Sequence, residues 1–212
     1  IPLWYREDQP FWGKPPLAFW STTLSYYVFG VSELATRLPS ILYTAATMLV
    51  ISCWLRLLDR TALILPVCFV YSSFFMVLQS AGTILTDPLL TLCTTTVMLA
   101  FWQCLAQEKP PLGWSVLLWC CLGIGLLTKG PVVLVLCGLP CAVWALTQGR
   151  FLKAFSNTWF LPGIVLMLLI ASPWYYLQEQ RTPGFLEYFL IGEHFYRFTE
   201  PGWEGDLYGA AK

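Results

Sequence analysis

Long uncharged stretches rich in apolar residues alternate with short polar breaks along most of the chain. Six of these stretches reach the roughly 17–25 residues that a helix needs to cross a bilayer. They cover residues 38–55, 61–86, 88–107, 110–128, 130–149 and 154–178. Lipid offers the backbone no hydrogen-bond partners, so a spanning stretch must be helical. The pattern predicts an all-α integral membrane protein, a polytopic bundle of about six transmembrane helices over residues 38–178.

The polar breaks differ in charge on the two sides of this predicted bundle. Three alternate breaks hold five Lys or Arg residues between them, at positions 56–60, 108–111 and 150–153. The breaks on the other side hold only Asp87 and Lys129. The positive-inside rule assigns the basic breaks to the cytoplasm. We therefore expect Asp87 and Lys129 at the outer face of a multi-pass membrane protein.

The two terminal segments are expected at the same outer face. From Leu17, apolar residues recur with helical spacing among serines and threonines, which is typical of a helix lying in the membrane interface. Gly30 would end this helix and Ser32 would open the next one. Residues 1–37 are thus predicted as a periplasmic loop with an interfacial helix, and residues 179–212 as the start of a periplasmic segment.

Composition excludes several classes of protein. The chain is 57% hydrophobic and 11% charged, with 12 basic and 12 acidic residues, whereas a soluble domain carries roughly 25% charged residues. A soluble globule, a disordered chain and a nucleic-acid-binding protein are therefore excluded, the last because it needs a basic excess. The eight cysteines all lie in apolar stretches, where cysteine behaves as a small hydrophobic residue.

Lys14 lies in the motif Gly13-Lys14-Pro15-Pro16-Leu17. Proline favours the first turn of a helix, so Lys14 is expected beside a helix N-terminus, where backbone N–H groups favour anions. A lysine there could bind a phosphate. The alternative is an interfacial lysine that only extends its ammonium to water.

Asp87 and Lys129 each have a structural and a functional interpretation. Asp87 before Pro88 would make a good helix N-cap, and Lys129 followed by Gly130 and Pro131 would make a standard helix end. A carboxylate facing an enclosed site could equally act as a general base or stabilise a positive sugar. Lys129 would then be a second cation for a phosphate.

His194 is the only histidine, in the stretch Gly192-Glu193-His194-Phe195-Tyr196-Arg197-Phe198. One histidine near acids is weak support for a metal site, because most sites need three or four protein ligands. A hydrogen-bonded interfacial imidazole explains it equally well.

The order of these motifs resembles a known family. Gly13-Lys14-Pro15-Pro16-Leu17-x-x-Trp20, the stretch Phe29-Gly-Val-Ser-Glu33-Leu-Ala-Thr-Arg37-Leu-Pro-Ser40, Asp87-Pro88, Leu127-Thr128-Lys129-Gly130 and Glu193-His194-Phe195-x-Arg197-Phe198 occur in sequence. This order resembles the bacterial branch of the dolichyl-phosphate-mannose protein mannosyltransferase superfamily, and within it the 4-amino-4-deoxy-L-arabinose lipid A transferases.

The resemblance implies a GT-C fold and an inverting transfer from a polyprenyl-phosphate-linked sugar to a lipid, glycan or other periplasmic acceptor. It implies Asp87 as the second acidic residue of the site, Lys14 as a phosphate-contacting lysine, and Lys129 and Arg197 as charges around the donor cavity. His194, which we also expect to bind substrate or phosphate, matches a residue that, with a glutamate just before the Lys-Pro-Pro motif, binds a metal in the lipid A enzymes. Gly13 occupies the position of that glutamate here. A divalent metal at His194 thus stays open but is not supported at Gly13, and the cofactor is unknown.

The family carries a further acidic pair on a loop after its first helix, which would precede Ile1. We therefore expect the chain to be an N-terminally truncated fragment, inactive alone. The competing interpretations are a transporter or flippase for a polyprenyl-linked substrate, and a membrane scaffold. Transporters place ionisable residues near the bilayer midplane, whereas the predicted spans carry no charge. The sequence thus favours an enzyme whose partners are the sugar donor, the acceptor and membrane lipids.

Overall fold

The computed structural model describes residues 4–6, 9–196 and 199 and shows a helical bundle. A short antiparallel pair, β1 (Trp4–Arg6) and β2 (Gln9–Pro10), precedes the helices. The α-helices are α1 (Leu17–Phe29), α2 (Glu33–Leu57), α3 (Ile64–Ser73), α4 (Phe75–Ala81), α5 (Asp87–Ala106), α6 (Leu112–Lys129), α7 (Val132–Thr147), α8 (Phe151–Asn157) and α9 (Phe160–Arg181). A 3-10 turn at Thr61–Leu63 leads into α3, and a π-helix at Glu187–Tyr196 follows α9.

The predicted junction between the first two helices is confirmed. Gly30 ends α1 with a positive φ of 75°, a conformation that glycine adopts without steric cost. The side chain of Ser32 then accepts a hydrogen bond from the N–H of Ala35 and caps α2. Between the helices, the hydroxyl of Ser25 donates to the carbonyl oxygen of Ala35. These contacts fix α1 against the start of α2.

All six predicted stretches coincide with helices, which confirms the all-α membrane class, but they do not give six equal spans. Within the described residues, four helices are long and apolar enough to cross a bilayer: α2, α5, α6 and α9. The fifth stretch forms α7, which has 16 residues and is about 24 Å long at 1.5 Å per residue. This length is shorter than the hydrocarbon core of roughly 30 Å.

The prediction of one straight span over residues 61–86 is wrong. The Thr61–Ser73 segment and α4 meet at a bend of 73° around Phe74, whose backbone is extended. Just before the bend, the hydroxyls of Ser72 and Ser73 donate to the carbonyl oxygens of Phe69 and Val70. Serine hydroxyls that bond to the preceding turn weaken the helical ladder. If the bent pair is one span, the described chain holds up to five candidate spans.

The prediction of one helix over residues 154–178 is also wrong, and the reason lies in one carbonyl group. The carbonyl of Thr158 would normally accept from the N–H of residue 162, which is proline and has none. It instead accepts from the hydroxyl of Ser115 and the indole of Trp119. The next residue, Trp159, takes a left-handed φ of 50°. The chain therefore breaks into α8 and α9.

The core lies where α5, α6 and α9 pack together. Its buried apolar residues include Val97, Leu122 and Met167, one from each helix. A close contact joins α6 to α9, because the indole of Trp119 lies directly against Gly163, at a distance that leaves no room for a β-carbon.

The two sets of polar breaks lie at opposite ends of the bundle. At one end, the side-chain amide of Asn157 donates to the carbonyl of Cys104 and the guanidinium of Arg150 to that of Leu105. These contacts join the last turn of α5 to α8 and to Arg150 just before it. At the other end, the start of α5 meets the end of α6. We call this second end the polar end and define it by Asp87 and Lys129.

Candidate functional site

Asp87 and Lys129 form an ion pair at the polar end. The ammonium Nζ of Lys129 lies 2.7 Å from Oδ1 of Asp87, across 42 positions of sequence. Both side chains are partly exposed, at 36% for Lys129 and 46% for Asp87. An ammonium has three N–H donors, so one bond to Asp87 leaves two for another acceptor. The pair can therefore hold a carboxylate in place and still bind an anion.

The structure corrects the interpretation of Asp87 as a helix cap. Thr86 is the N-cap of α5, and Asp87 and Pro88 occupy its first turn. The carboxylate of Asp87 is directed to Lys129 and does not bond to the N–H groups of its own helix. Lys129 does end its helix as the sequence predicts, since Gly130 follows with a positive φ of 76°.

His194 lies next to this ion pair, through Gly130. A β-carbon on Gly130 would lie 2.6 Å from the ring of Phe189 and 3.7 Å from Cε1 of His194. The π-helix that carries both rings thus packs directly on the turn after Lys129. A π-helix is rare and often marks a functional site.

The ring of His194 is oriented by its own helix. Its Nδ1 lies 2.7 Å from the carbonyl oxygen of Phe189. A carbonyl oxygen only accepts hydrogen bonds, so Nδ1 carries a proton. The other nitrogen, Nε2, is then left with a lone pair when the ring is neutral. His194 can accept a proton or a hydrogen bond at Nε2.

The metal site of the lipid A enzymes does not fit these residues. Gly13 offers no side-chain ligand where the family resemblance expects a glutamate, and His194 contributes one nitrogen. Among the residues that the structure describes, no group of three or more His, Cys, Asp or Glu residues lies close enough to hold a metal ion. We therefore assign no role to a metal.

Lys14 lies on the segment that leads into α1 and is partly buried. Two residues before it, the indole Nε1 of Trp12 donates to Oγ1 of Thr182 at 3.2 Å. The same indole packs against Tyr188 of the π-helix, with ring centroids 5.5 Å apart. Trp12, two residues before Lys14, is therefore held against the segment that carries His194. No described hydrogen bond joins Lys14 to Asp87 or Lys129, and Arg197 lies outside the described residues.

Three features of this end could not be predicted from the sequence. The π-helix has no distinctive composition, and Phe189 is one aromatic residue among many. The hydrogen bond from Trp12 to Thr182 spans 170 positions, and nothing local in the sequence predicts such a pair. The positive φ of Gly130 could be predicted from its place after a last-turn lysine, but its contact with Phe189 could not.

A separate apolar cavity of about 250 Å³ lies toward the opposite end of the bundle. Its lining includes Phe101, Leu122, Ala142 and Phe155, and the hydroxyl-bearing Thr158. It has no titratable group suited to group transfer. The candidate residues Asp87 and Lys129 therefore lie at the polar end and not in this apolar cavity.

Comparison with known proteins gives consistent matches. Residues 13–177 match the family model described as dolichyl-phosphate-mannose-protein mannosyltransferase. Two relatives are undecaprenyl phosphate-alpha-4-amino-4-deoxy-L-arabinose arabinosyl transferases. The one from Edwardsiella ictaluri is 30% identical over 88% of this chain and 34% of its own length. The one from Yersinia pestis (strain Pestoides F) is 30% identical over 92% of this chain and 36% of its own length.

Two crystal structures of ArnT from Cupriavidus metallidurans share the fold. The apo structure is 26% identical with a TM-score of 0.80, over 88% of this chain and 35% of that protein. The structure bound to undecaprenyl phosphate is 27% identical with a TM-score of 0.83, over 90% and 36%. The chain thus spans about a third of the length of the relatives it matches. It is a multi-pass membrane protein and belongs to the dolichyl-phosphate-mannose-protein mannosyltransferase family.

Proposed function

We propose that this chain forms part of a polyprenyl-phosphate-dependent, inverting glycosyltransferase of the bacterial inner membrane, with its site facing the periplasm. The donor is a sugar carried on undecaprenyl phosphate. By similarity to the named relatives, that sugar is 4-amino-4-deoxy-L-arabinose. The acceptor is lipid A or another periplasmic glycan or lipid. The observation that carries the proposal is the ion pair between Asp87 and Lys129, beside His194 and at the end of the bundle that also holds Lys14.

The charges that develop during the transfer of the sugar define what the site must do. The bond between the sugar C1 and the phosphate oxygen breaks, and its electron pair stays on the departing polyprenyl phosphate. The acceptor oxygen forms a bond to C1 from the opposite face, which inverts the configuration. The departing phosphate gains negative charge, and cations placed in advance to stabilise such charge are usually the largest catalytic contribution.

Lys129 and Lys14 supply this positive charge. Lys129 has two N–H donors left after its bond to Asp87, and Lys14 has no described ion-pair partner of its own. Both can bond to phosphate oxygens. Arg197 is proposed as a third cation on the strength of the sequence alone.

Asp87 has one of two tasks, set by the acceptor. A hydroxyl acceptor must lose its proton, and a carboxylate held within reach can take it. A lipid A phosphate is already ionised and needs no base. In that case Asp87 stabilises the positive charge that develops on the sugar ring, and the contact with Lys129 holds the carboxylate in position.

The test is transfer by the full-length protein in lipid vesicles, with undecaprenyl-phosphate-linked 4-amino-4-deoxy-L-arabinose as donor and lipid A as acceptor. We expect turnover by the wild type and a loss of about 100-fold or more in Lys129→Met and Asp87→Asn, the usual effect of removing one preorganised charge contact. Lys153→Met, at the opposite end of the bundle, is the matched control and should keep normal transfer. No transfer by the wild type, or near-normal transfer by both site variants, would disprove the proposal.

A further inference from the structure

A buried hydrogen-bond node joins the segment that carries Lys14 to the end of α9. The indole of Trp12 donates to Oγ1 of Thr182 at 3.2 Å, and the side-chain amide of Gln178 donates to the same oxygen at 3.0 Å. The Thr182 hydroxyl donates in turn to the carbonyl of Gln178 at 2.9 Å. A hydroxyl has one proton and two lone pairs. All three are used here, so the Thr182 hydroxyl is fully satisfied.

The Gln178 and Thr182 side chains of the node are buried, and Trp12 is partly buried. Gln178 is 2% exposed and Thr182 is 9% exposed. A buried polar group that loses its partner is costly, because water cannot replace the lost bond. The three side chains therefore favour one arrangement strongly over its alternatives.

The segment around Lys14 is anchored on both sides. Before it, the ring of Trp12 packs edge-on against Phe185, with centroids 6.4 Å apart. After it, Pro15 and Pro16 are among the most completely buried residues of the chain, and each proline ring fixes its own φ. The backbone of Lys14 thus has little freedom, although its side chain is long and flexible.

We infer that Thr182 is a positioning residue for Lys14, acting through the indole of Trp12. This inference rests on the proposed role of Lys14 as a phosphate-binding cation. A lysine side chain loses much rotamer freedom when it binds, and anchoring its backbone beforehand reduces the part of that cost that binding must overcome. The node thereby keeps the Lys14 ammonium within reach of the same donor phosphate as Lys129.

A double-mutant cycle in the full-length protein tests this coupling. The dissociation constant of undecaprenyl phosphate is measured for Thr182→Val and Trp12→Phe, each with Lys14 present and with Lys14→Ala. We expect each variant to weaken binding about tenfold when Lys14 is present, as for a charge-assisted contact that is misplaced. With Lys14→Ala, neither variant should weaken binding further. The inference would be overturned if the variants lost equal affinity with Lys14 present and with Lys14→Ala, or if they lost none in either case.

Two further variants separate positioning from folding. Thr182→Ser keeps the hydroxyl and should bind normally. Thr44→Val is the matched control, because Thr44 is also 9% exposed and also bonds to the carbonyl four residues before it, Ser40. It should not change binding. If Thr182→Val does not fold, Trp12→Phe still tests the inference, since phenylalanine keeps an aromatic ring beside Phe185.

The inference and the proposed function can fail separately. If the wild type turns over but the losses of binding in the double-mutant cycle are additive, the positioning role is disproved and the enzyme function is left intact. A wild type without turnover would disprove the enzyme function. In that case hydrogen exchange still measures how firmly the node anchors the backbone. The amides of residues 12–14 should exchange faster in Thr182→Val than in Thr44→Val. Equal exchange in the two variants would remove the node as an anchor.

Discussion

Gly130 is the single residue on which the geometry of the site depends most closely. Its φ of 76° and ψ of −154° lie in a region that is essentially restricted to glycine. Its missing side chain also leaves room for the rings of Phe189 and His194. One position thus ends α6 behind Lys129 and sets the distance to the π-helix.

Replacing Gly130 by alanine should therefore reduce transfer more than it reduces stability. The backbone strain costs about 1–3 kcal/mol, and the new β-carbon must also displace the ring of Phe189, together with the helix that carries His194. The measurements are the transfer rate and the thermal unfolding of the purified full-length protein. Gly149→Ala is the control, because Gly149 also has a positive φ, 63°, but open space around it. Equal losses of transfer in the two variants would contradict this account.

Single residues were predicted well where a local rule applied and poorly where the partner was distant. The helix end at Lys129 and Gly130 follows from a rule about helix ends. A similar rule makes a helix cap one of the two interpretations of Asp87, but the ammonium of Lys129 lies within 2.7 Å and binds the carboxylate instead. A local pattern does not contain that information, because the competing charge is 42 positions away.

At the scale of elements, the contact between α6 and α9 depends on Gly163. A β-carbon there would lie 1.9 Å from the indole nitrogen of Trp119. The same nitrogen donates to the carbonyl of Thr158 at 2.7 Å. Gly163 thus allows the two helices to approach closely while a tryptophan satisfies the carbonyl that Pro162 leaves unpaired. Small residues at a helix interface are typical of such close packing in membranes.

Gly163→Ala should destabilise the protein by about 3 kcal/mol, because the indole must move and give up a buried hydrogen bond. Unfolding of the full-length protein in mixed micelles gives the free energy. Gly138→Ala is the matched control, since Gly138 lies within α7 and an added β-carbon meets nothing. It should be neutral or more stable by up to about 1 kcal/mol. A Gly163→Ala protein as stable as the control would show that α9 can shift freely.

The existence of each helix followed from hydrophobic length, whereas breaks within a helix did not. The bend at Phe74 and the left-handed Trp159 interrupt stretches that are apolar on both sides. An apolar composition indicates that the backbone N–H and C=O groups need hydrogen-bond partners within the protein. It does not indicate which groups those partners are. At Thr158 the partners come from α6, so the break depends on packing that the sequence pattern does not show.

For the whole molecule, the alternation of the helices brings the scattered charges together. Antiparallel α5 and α6 place Asp87 at the start of one and Lys129 at the end of the other. The basic breaks meet at the opposite end through Arg150 and Asn157. The sequence predicted this separation from the order of the spans alone, and the bend in the second span does not alter it.

The two ends of the bundle should therefore be accessible from opposite sides of the membrane. Thr83→Cys lies in an exposed turn beside α5 at the polar end, and Gln148→Cys lies in an exposed turn after α7 at the other end. A membrane-impermeant maleimide should label Thr83→Cys in intact spheroplasts and Gln148→Cys only after lysis, because the basic breaks are expected in the cytoplasm. The parent protein gives the background from its eight native cysteines, all in described helices. Labelling of both variants from the same side would contradict the arrangement, and labelling in the reverse order would place the proposed transfer in the cytoplasm.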